Sequence, residues 1–311
     1  MSNRETRGPE TLCESAQSFE DRVLDPRDVP LGGVKGVTVS RTLPHRELPT
    51  IGAFCFLDHF GPTSGPGRID PHPHTGLQTV TWLFEGAVHH RDSVGSDVLV
   101  RPGQLNLMTA GRGIAHSEYD QEQVQHGFQL WVAQPEDSRF GDPHFEQHSD
   151  LPRYEAGAAT ATVAIGTSGG LTSPAKQYSA LLAVELDLRA GTSPIALDPA
   201  HEHGFILASG RARVDGVGQE AGVLRYFAPG REGLQIESDE PAKGLLIGGE
   251  PLCEDIVMWW NFVGRSHEEI VRFREEWEAG DERFGSVVGH GAERIPAPPM
   301  PKVQLKARRR R

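Results

Sequence analysis

Short apolar runs, separated by turn-forming residues, recur along most of the chain from about residue 33 onward. Representative runs are residues 37–39 (VTV), 54–57 (FCFL), 80–84 (VTWLF), 98–100 (VLV) and 128–132 (FQLWV). The 36 glycines and 23 prolines supply the turns between such runs. Many short β-rich runs at roughly regular spacing are typical of a sandwich or barrel, whereas a helical bundle would contain far fewer breaks. We therefore predict an all-β fold.

The β pattern weakens between residues 155 and 176, where Ala, Gly, Thr and Ser dominate and only residues 162–165 resemble a strand. Such a composition is typical of a connection between domains, so we place the domain boundary there. The predicted division is a flexible N-terminal arm (1–30), a first β domain (31–168), a second β domain (169–265), a helix (266–280) and an extended basic tail (281–311).

The terminal segments differ from the β-rich body of the chain. Residues 1–30 are polar and lack periodic apolar positions, so this arm cannot offset the entropy of folding by itself. Residues 266–277 begin with an N-cap serine, carry a glutamate at the third helical position and place apolar residues at 270, 273 and 277, which predicts a helix. The tail is rich in proline and ends in a basic cluster, so we expect it to be solvated.

A weak internal repeat is visible. A His-x-His sequence, an apolar strand that ends in glycine and a later Pro-Gly turn occur in both halves, beginning at His72 and again at His201. Two copies of one β plan are therefore expected.

Charge and composition exclude several function classes. The formal net charge is −12, from 43 acidic and 31 basic residues, and this negative charge would repel nucleic acid. No apolar run approaches the roughly 18 residues of a membrane helix, and the polar sequence after Met1 leads into no signal segment. The three cysteines are far apart and predict no disulfide framework. We expect a cytoplasmic protein that contacts neither membranes nor nucleic acid directly.

Two short segments place metal-binding side chains at positions i and i+2. One contains His72 and His74, and the other, some forty residues later, contains His116 and Glu118. On an extended strand this spacing directs both side chains to the same face, so four donors converge if the two strands face each other. Three imidazoles and one carboxylate suit a divalent first-row transition metal and leave coordination positions open for substrate. We predict a catalytic metal site.

The residues around these donors resemble a known family. The sequences FLDHFGP, DPHPHTG, TVTWLFEG and MTAGRGIAHSE at residues 56–62, 70–76, 79–86 and 108–118 are similar to the signature blocks of the pirin family, within the cupin superfamily. The resemblance implies two tandem cupin-type β-barrels, each a double-stranded β-helix, with one mononuclear metal in the first. The metal is usually Fe²⁺, although manganese, nickel, copper or zinc could replace it, and its implied ligands are His72, His74, His116 and Glu118.

One position departs from the family pattern, and the second half lacks a complete site. Gln78 stands where many pirins have a glutamate, which makes any proton transfer assigned to that position doubtful. His201 and His203 have no later histidine to complete a metal site, so we expect a second barrel without metal. The pairs His89-His90 and His144/His148 are expected to be bystanders.

The resemblance also implies a reaction. Certain pirins and related cupins cleave flavonols such as quercetin with dioxygen, so the expected partners are a small aromatic substrate and dioxygen. Glu118 would then serve as ligand and as catalytic base, and Phe56, Trp82 and Trp131 are candidates for an apolar pocket. The alternative is a regulatory protein that senses metal or redox state and binds a protein partner. Both functions require the same four ligands.

Overall fold

The computed structural model describes residues 20–31, 37–64 and 67–307. The strands up to residue 148 are β1 (Arg22–Leu24), β2 (Arg27–Leu31), β3 (Val37–Leu43), β4 (Phe54–Ser64), β5 (Arg68–His74), β6 (Leu77–Glu85), β7 (Val88–Asp92), β8 (Asp97–Val100), β9 (Leu105–Thr109), β10 (Ile114–Asp120), β11 (Val124–Ala133) and β12 (His144–His148). The later strands are β13 (Arg153–Ala156), β14 (Ala159–Ile165), β15 (Thr167–Ser168), β16 (Leu171–Thr172), β17 (Leu181–Leu188), β18 (Gly191–Ala196), β19 (Glu202–Ser209), β20 (Ala212–Val214), β21 (Val217–Gln219), β22 (Leu224–Phe227), β23 (Gly233–Ser238), β24 (Ala242–Gly249), β25 (Val257–Trp259) and β26 (Phe262–Gly264).

The predicted all-β fold with a short C-terminal helix is confirmed. The helix, α1 (His267–Ala279), follows β26, and a 3₁₀ turn covers Glu282–Phe284. The Ser266 side chain accepts a hydrogen bond from the Glu269 backbone N–H and so caps α1, as the sequence predicts. None of the described helices is long and apolar enough to cross a membrane.

The two halves repeat one strand order. A seven-stranded sheet in the first half has the order β12-β9-β6-β11-β4-β3-β2, and its counterpart in the second half has the order β1-β22-β19-β24-β17-β14-β13. Each is accompanied by a four-stranded sheet, β5-β10-β7-β8 in the first half and β18-β23-β20-β21 in the second. The chain therefore forms two β-barrels of the same plan, as the internal repeat predicts.

The two seven-stranded sheets pack against each other. One buried cluster contains Val80 and Phe128 from the first sheet together with Ile206 and Leu245 from the second. Apolar residues on the outer faces of both sheets are thereby removed from water, which stabilises the pair of barrels as a unit. A separate cluster fills the interior of the second barrel.

The N-terminal segment differs from the predicted loose arm where it is described. Strand β1 pairs with β22, so that Leu24 lies opposite Leu224, and β2 pairs with β3. Leu24 is only 2% exposed because it enters the core between the barrels. Strand β1 thus occupies in the second sheet the edge position that β12 has in the first. Residues 1–19 lie outside the described residues.

The division between the barrels also differs from the predicted boundary after residue 168. Strands β13 and β14 belong to the second sheet, because β14 pairs with β17. The sheets therefore divide between β12 and β13, near residues 149–152. Ala159 and Ala161 are fully buried in the second barrel. Within the run of small residues that resembles a linker, Ala159–Ile165 is therefore a packed strand, whereas residues 169–172 are exposed.

The C-terminal segment is not a solvated tail up to residue 307. Val287 and Ala297 are buried in a cluster with Ile270, Phe273 and Trp277 of α1. The apolar face of α1 requires a cover, and the tail supplies it. The predicted basic terminus at residues 308–311 lies outside the described residues.

The buried cysteine of the first barrel is not a reactive thiol. Cys55 is a buried free thiol, and burial raises its pKa to about 12, which keeps it protonated.

We expect that Leu24→Ala will lower the free energy of unfolding by about 2–5 kcal/mol, because it leaves a cavity in the core between the barrels. Val23 in the same strand is 63% exposed, so Val23→Ala is a matched control that should change the stability by less than about 0.5 kcal/mol. Denaturant titration measures both values. Equal small losses would contradict the packing of β1 in the core.

Candidate metal centre

The pairing of β5 with β10 brings the predicted donors together. His116 lies directly opposite His72, and Ile114 lies opposite His74. The register shifts between His116 and Glu118, which is the mark of a β-bulge. Bulges redirect side chains locally, and here Glu118 lines the same cavity as the three histidines.

The three imidazoles form a compact cluster. One ring nitrogen from each of His72, His74 and His116 lies within 4.8 Å of the others. The Nε2 atoms of His74 and His116 are 3.1 Å apart, and the ring centroids of His72 and His116 are 4.3 Å apart. All three residues are at most 6% exposed. The structure thus groups the three predicted histidines in a buried position.

Backbone carbonyls fix the orientation of two of these rings. The Nδ1–H of His72 donates to the carbonyl oxygen of Asp70 at 2.9 Å, and the Nδ1–H of His74 donates to that of Asn261 at 3.1 Å. These partners accept hydrogen bonds only, so they select the tautomer in which Nε2 keeps its lone pair. Both rings therefore present Nε2 to the cluster.

The third ring is oriented by His90, which sequence analysis assigned as a bystander. His116 Nδ1 is 3.4 Å from His90 Nδ1, and His90 Nε2 is 3.1 Å from an Asp92 carboxylate oxygen. If His90 donates from Nε2 to Asp92, its Nδ1 accepts the proton of His116, which frees the Nε2 atom of His116. A ring nitrogen of His90 also lies within 4.8 Å of a Glu118 carboxylate oxygen. His90 does not, however, line the cavity that Glu118 shares with the three histidines. Its position is that of a supporting residue.

Asp92 anchors this chain of hydrogen bonds. Its side chain is 1% exposed and accepts hydrogen bonds from the backbone N–H groups of Val94 and Ser96. Burial alone would raise the pKa of Asp92, but the hydrogen bonds from His90 and Ser96 outweigh burial and lower it. Asp92 is therefore a carboxylate that can hold His90 in one orientation.

The electrostatics favour neutral imidazoles. Burial lowers the pKa of His72 to about 4, and it lowers the pKa values of His74 and His116 well below their ordinary range. A neutral imidazole has the lone pair that a metal requires. The histidines are ready for coordination at neutral pH.

Glu118 lines the same cavity as the three histidines, but its carboxylate forms a group within 4.8 Å with His90 and His116 and not with His72 and His74. Burial raises the pKa of its carboxyl group, and the nearby His90 partly opposes this effect. A carboxylate with a raised pKa accepts a proton more readily than an exposed one. The same side chain could therefore bind a cation and exchange a proton with a bound molecule.

The donors open onto a cavity of about 480 Å³. Its volume lies within the usual range for small-molecule sites. Phe56 and Trp131 stack in one wall with ring centroids 4.0 Å apart, and Trp131 meets the His74 ring edge-on at 5.1 Å. The guanidinium of Arg41 covers the Phe56 ring at 4.2 Å. The wall beside the donor cluster is therefore aromatic at Trp131, whereas Arg41 places a charged group over the Phe56 ring.

Sequence analysis missed several residues of this cavity. The tip of the β25–β26 hairpin contributes Trp260 and Asn261, and Trp260 adopts a left-handed φ of 52°. This backbone conformation is costly for a tryptophan and is often found beside functional sites. Asp58 also lines the cavity and is held by two hydrogen bonds from Arg41. The WNFV sequence at 260–263 is also similar to the pirin pattern, but nothing local in it assigns Trp260 and Asn261 to the cavity.

Trp82 and Gln78 lie away from the cavity. Phe56 and Trp131 line it as predicted, but the prediction for Trp82 is wrong. Its indole N–H donates to Glu185 at 2.8 Å between the two barrels, where it packs in the core. Gln78 is buried and donates to Thr109 and to the Lys176 carbonyl, so it has no contact with the donor cluster.

The other histidine pairs are not assembled into sites. In the second barrel, His203 is fully buried with neither ring nitrogen hydrogen-bonded, and no described His, Cys, Asp or Glu side chains complete a cluster around it. His89 pairs with Asp97, while His144 and His148 both contact Glu146. These residues lie outside the large cavity.

Family models and relatives agree with this architecture. The model described as Pirin matches residues 36–132, and the model described as Pirin C-terminal cupin domain matches residues 183–285. A protein of Pseudomonas aeruginosa, named as a candidate quercetin 2,3-dioxygenase, is 42% identical over 97% of this chain and 98% of its own length. The chain belongs to the pirin family. A pirin-like protein of Caulobacter vibrioides is 37% identical over 89% of this chain and 99% of its own length.

Solved structures show the same two-barrel pirin fold. The crystal structure of a quercetin 2,3-dioxygenase from Acinetobacter baumannii has a TM-score of 0.88 and 39% identity, covering 93% of this chain and 98% of that chain. A second quercetin 2,3-dioxygenase structure from the same organism, at 22% identity, has a TM-score of 0.76 and covers 83% of this chain and 96% of that chain. This pirin therefore has two tandem cupin barrels.

We expect that His74→Ala will abolish stoichiometric metal binding, because it removes a central donor of the cluster. His201→Ala is the matched control, since His201 also belongs to a His-x-His pair but lies in the second barrel. Elemental analysis of protein purified under identical conditions, together with calorimetric titration of Fe²⁺ or Mn²⁺, measures the difference. Retention of one metal ion per chain in His74→Ala would contradict the assigned site.

We expect that Asp92→Asn will weaken metal binding about 10- to 100-fold, because it loosens the His90 ring that orients His116. Asp97→Asn is the control, as Asp97 contacts the outlying His89. Metal dissociation constants measured by competition with a chromophoric chelator should separate the two variants. Equal constants would show that the His90–Asp92 pair does not support the cluster.

Proposed function

We propose that this pirin is a metal-dependent dioxygenase that cleaves quercetin-type flavonols or related aromatic enols. His72, His74, His116 and Glu118 would hold one divalent ion, with Fe²⁺ as the first candidate. The observation that carries this proposal is the opening of three neutral imidazoles and one carboxylate onto a cavity of about 480 Å³ with stacked aromatic walls. A small aromatic substrate and dioxygen would be the ligands.

The donor set fits a divalent transition metal. The Nδ1–H groups of His72 and His74 are committed to carbonyl oxygens, which leaves Nε2 as the free donor in each ring. With His116 in the same tautomer, two lone pairs face each other across the 3.1 Å between the Nε2 atoms of His74 and His116. A cation between them would relieve that repulsion. Imidazole nitrogens with one carboxylate are suited to iron, manganese, nickel, copper and zinc.

The residues of the cavity have separate tasks in this reaction. The bound ion would supply Lewis-acid polarisation of a substrate oxygen and a path for electrons to dioxygen. Glu118 would accept the proton of the substrate hydroxyl, a role for which its raised pKa suits it. The stacked rings of Phe56 and Trp131 would align a flat substrate beside the donors, and the hairpin tip at Trp260 would limit the entry of water.

The cavity favours an enzyme over a regulator. A metal or redox sensor that acts through a protein partner needs the four ligands, but it has no need of a buried space of this size. The aromatic walls lie next to His74 rather than at an outer surface. Their position is suited to a small molecule.

The proposal is tested by adding quercetin to the Fe²⁺-loaded protein and following oxygen consumption and flavonol loss together. We expect one dioxygen to be consumed for each flavonol cleaved, with no consumption after metal removal by a chelator. Metal content is determined on the same samples. Fully loaded protein that consumes no oxygen with quercetin or other flavonols would contradict the enzymatic proposal and favour the regulatory alternative.

We expect that Glu118→Gln will lower kcat about 10²- to 10⁴-fold when variants are compared at equal metal content, because the amide cannot accept the substrate proton. Glu85→Gln is the control, since Glu85 belongs to the same barrel but does not line the cavity. Steady-state oxygen uptake measures both variants. Unchanged kcat in Glu118→Gln would remove Glu118 from the role of base.

A further inference from the structure

A second, smaller cavity lies within the first barrel on another side of Glu118. Its volume is about 90 Å³. Ile69, Glu118 and Gln129 line both this space and the large cavity. These three side chains therefore form a wall between the two cavities, and one of them is the carboxylate that the proposed function places on the metal.

The walls of the small cavity are mostly apolar. Val39 and Val88 are 2% and 6% exposed, and the Phe60 ring packs against the cluster that contains Val88. Two polar groups of the wall are already engaged, because Thr81 donates to the Gln129 side chain and the Gln125 amide nitrogen donates to backbone carbonyls. Glu118, Asp120 and the unpartnered Gln125 Oε1 also belong to the lining, so a small apolar guest is favoured in the part of the space between Val39, Phe60 and Val88.

The size of the small cavity selects among the reactants. Its volume of about 90 Å³ contrasts with about 480 Å³ for the large cavity. Apolar cavities of about 150 Å³ remain dry and hold xenon or benzene. A diatomic gas fits the smaller space, whereas a flavonol with three rings does not.

The small cavity approaches the donor cluster from a side that Ile69, Glu118 and Gln129 separate from the large cavity. His72, His74 and His116 line only the large cavity, so the small one reaches the donor cluster at Glu118. Thr63 and Asp120, which also line the small cavity, are half-buried and mark the part of its wall that approaches solvent. A substrate that fills the large cavity would leave this side open.

We propose that the small cavity binds dioxygen and delivers it to the metal centre beside Glu118, while the aromatic substrate occupies the large cavity. This inference rests on the proposed dioxygenase function. It assigns Val39, Phe60 and Val88 to the handling of the gas, a task separate from ligation of the metal and from contact with the flavonol.

The binding step is tested with xenon, an apolar probe for dioxygen sites, in pressurised crystals of the full chain. We expect an anomalous-scattering peak between Val39, Phe60 and Val88 in the wild type and in Val88→Ala, which enlarges the space. Val88→Phe should fill the space and remove the peak, and Val88→Leu serves the same purpose if the larger side chain prevents folding. Wild-type crystals without xenon at this position would overturn the proposal.

The delivery step is tested by measuring flavonol turnover at varied oxygen concentration. Val88→Phe or Val88→Leu should raise KM for dioxygen about tenfold and leave KM for quercetin unchanged. Equal KM values for dioxygen in the wild type and in a variant that has lost xenon binding would overturn delivery through this cavity. Absence of quercetin turnover in the wild type would overturn the proposed function, whereas the xenon experiment reports on the cavity without any turnover.

Discussion

The register between β5 and β10 is the constraint on which the candidate site depends. His116 faces His72 across these two strands, and a shift of one residue would turn one donor pair to the opposite face of the sheet. Strand β5 lies at the edge of its four-stranded sheet and contains Pro71 and Pro73, which cannot donate backbone hydrogen bonds. Its edge position explains how the strand tolerates two prolines among its donor residues. The bulge before Glu118 then gives this carboxylate its own direction.

Residues from the far end of the chain hold this register in place. The Asn261 carbonyl accepts the His74 Nδ1–H, and the Val263 N–H donates to the Thr75 carbonyl. The Ile295 N–H donates to the Pro71 carbonyl, which is one of the acceptors that an edge strand leaves unpaired. The first barrel therefore carries the donors, while the C-terminal hairpin and tail supply partners for the strand that bears them. The site therefore combines strands of the first barrel with residues between 261 and 295.

The features that sequence predicted are local, and those it missed arise from contacts between distant residues. Spacing at i and i+2 is enough to put His72 with His74 on one face of a strand. No local pattern reveals that Leu24 pairs opposite Leu224, or that the tail covers Trp277 of α1. His90 was missed for a similar reason, since its contact with the His116 ring depends on the pairing of β7 with β10. The sequence shows that His89 and His90 point to opposite faces of a strand, but it does not show which of the two side chains points inward.

The second barrel shows how the same sequence pattern can be used for assembly instead of ligation. In His201-Glu202-His203, the middle residue is fully buried and accepts hydrogen bonds from the Gly52 N–H of the first barrel and from the Tyr226 hydroxyl. Neighbouring positions on a strand point to opposite faces, so a glutamate directed towards the first barrel turns His203 away from it. His203 is fully buried, and no described side chain completes a donor cluster around it. The pattern that gathers ligands in one barrel therefore anchors the other barrel to it.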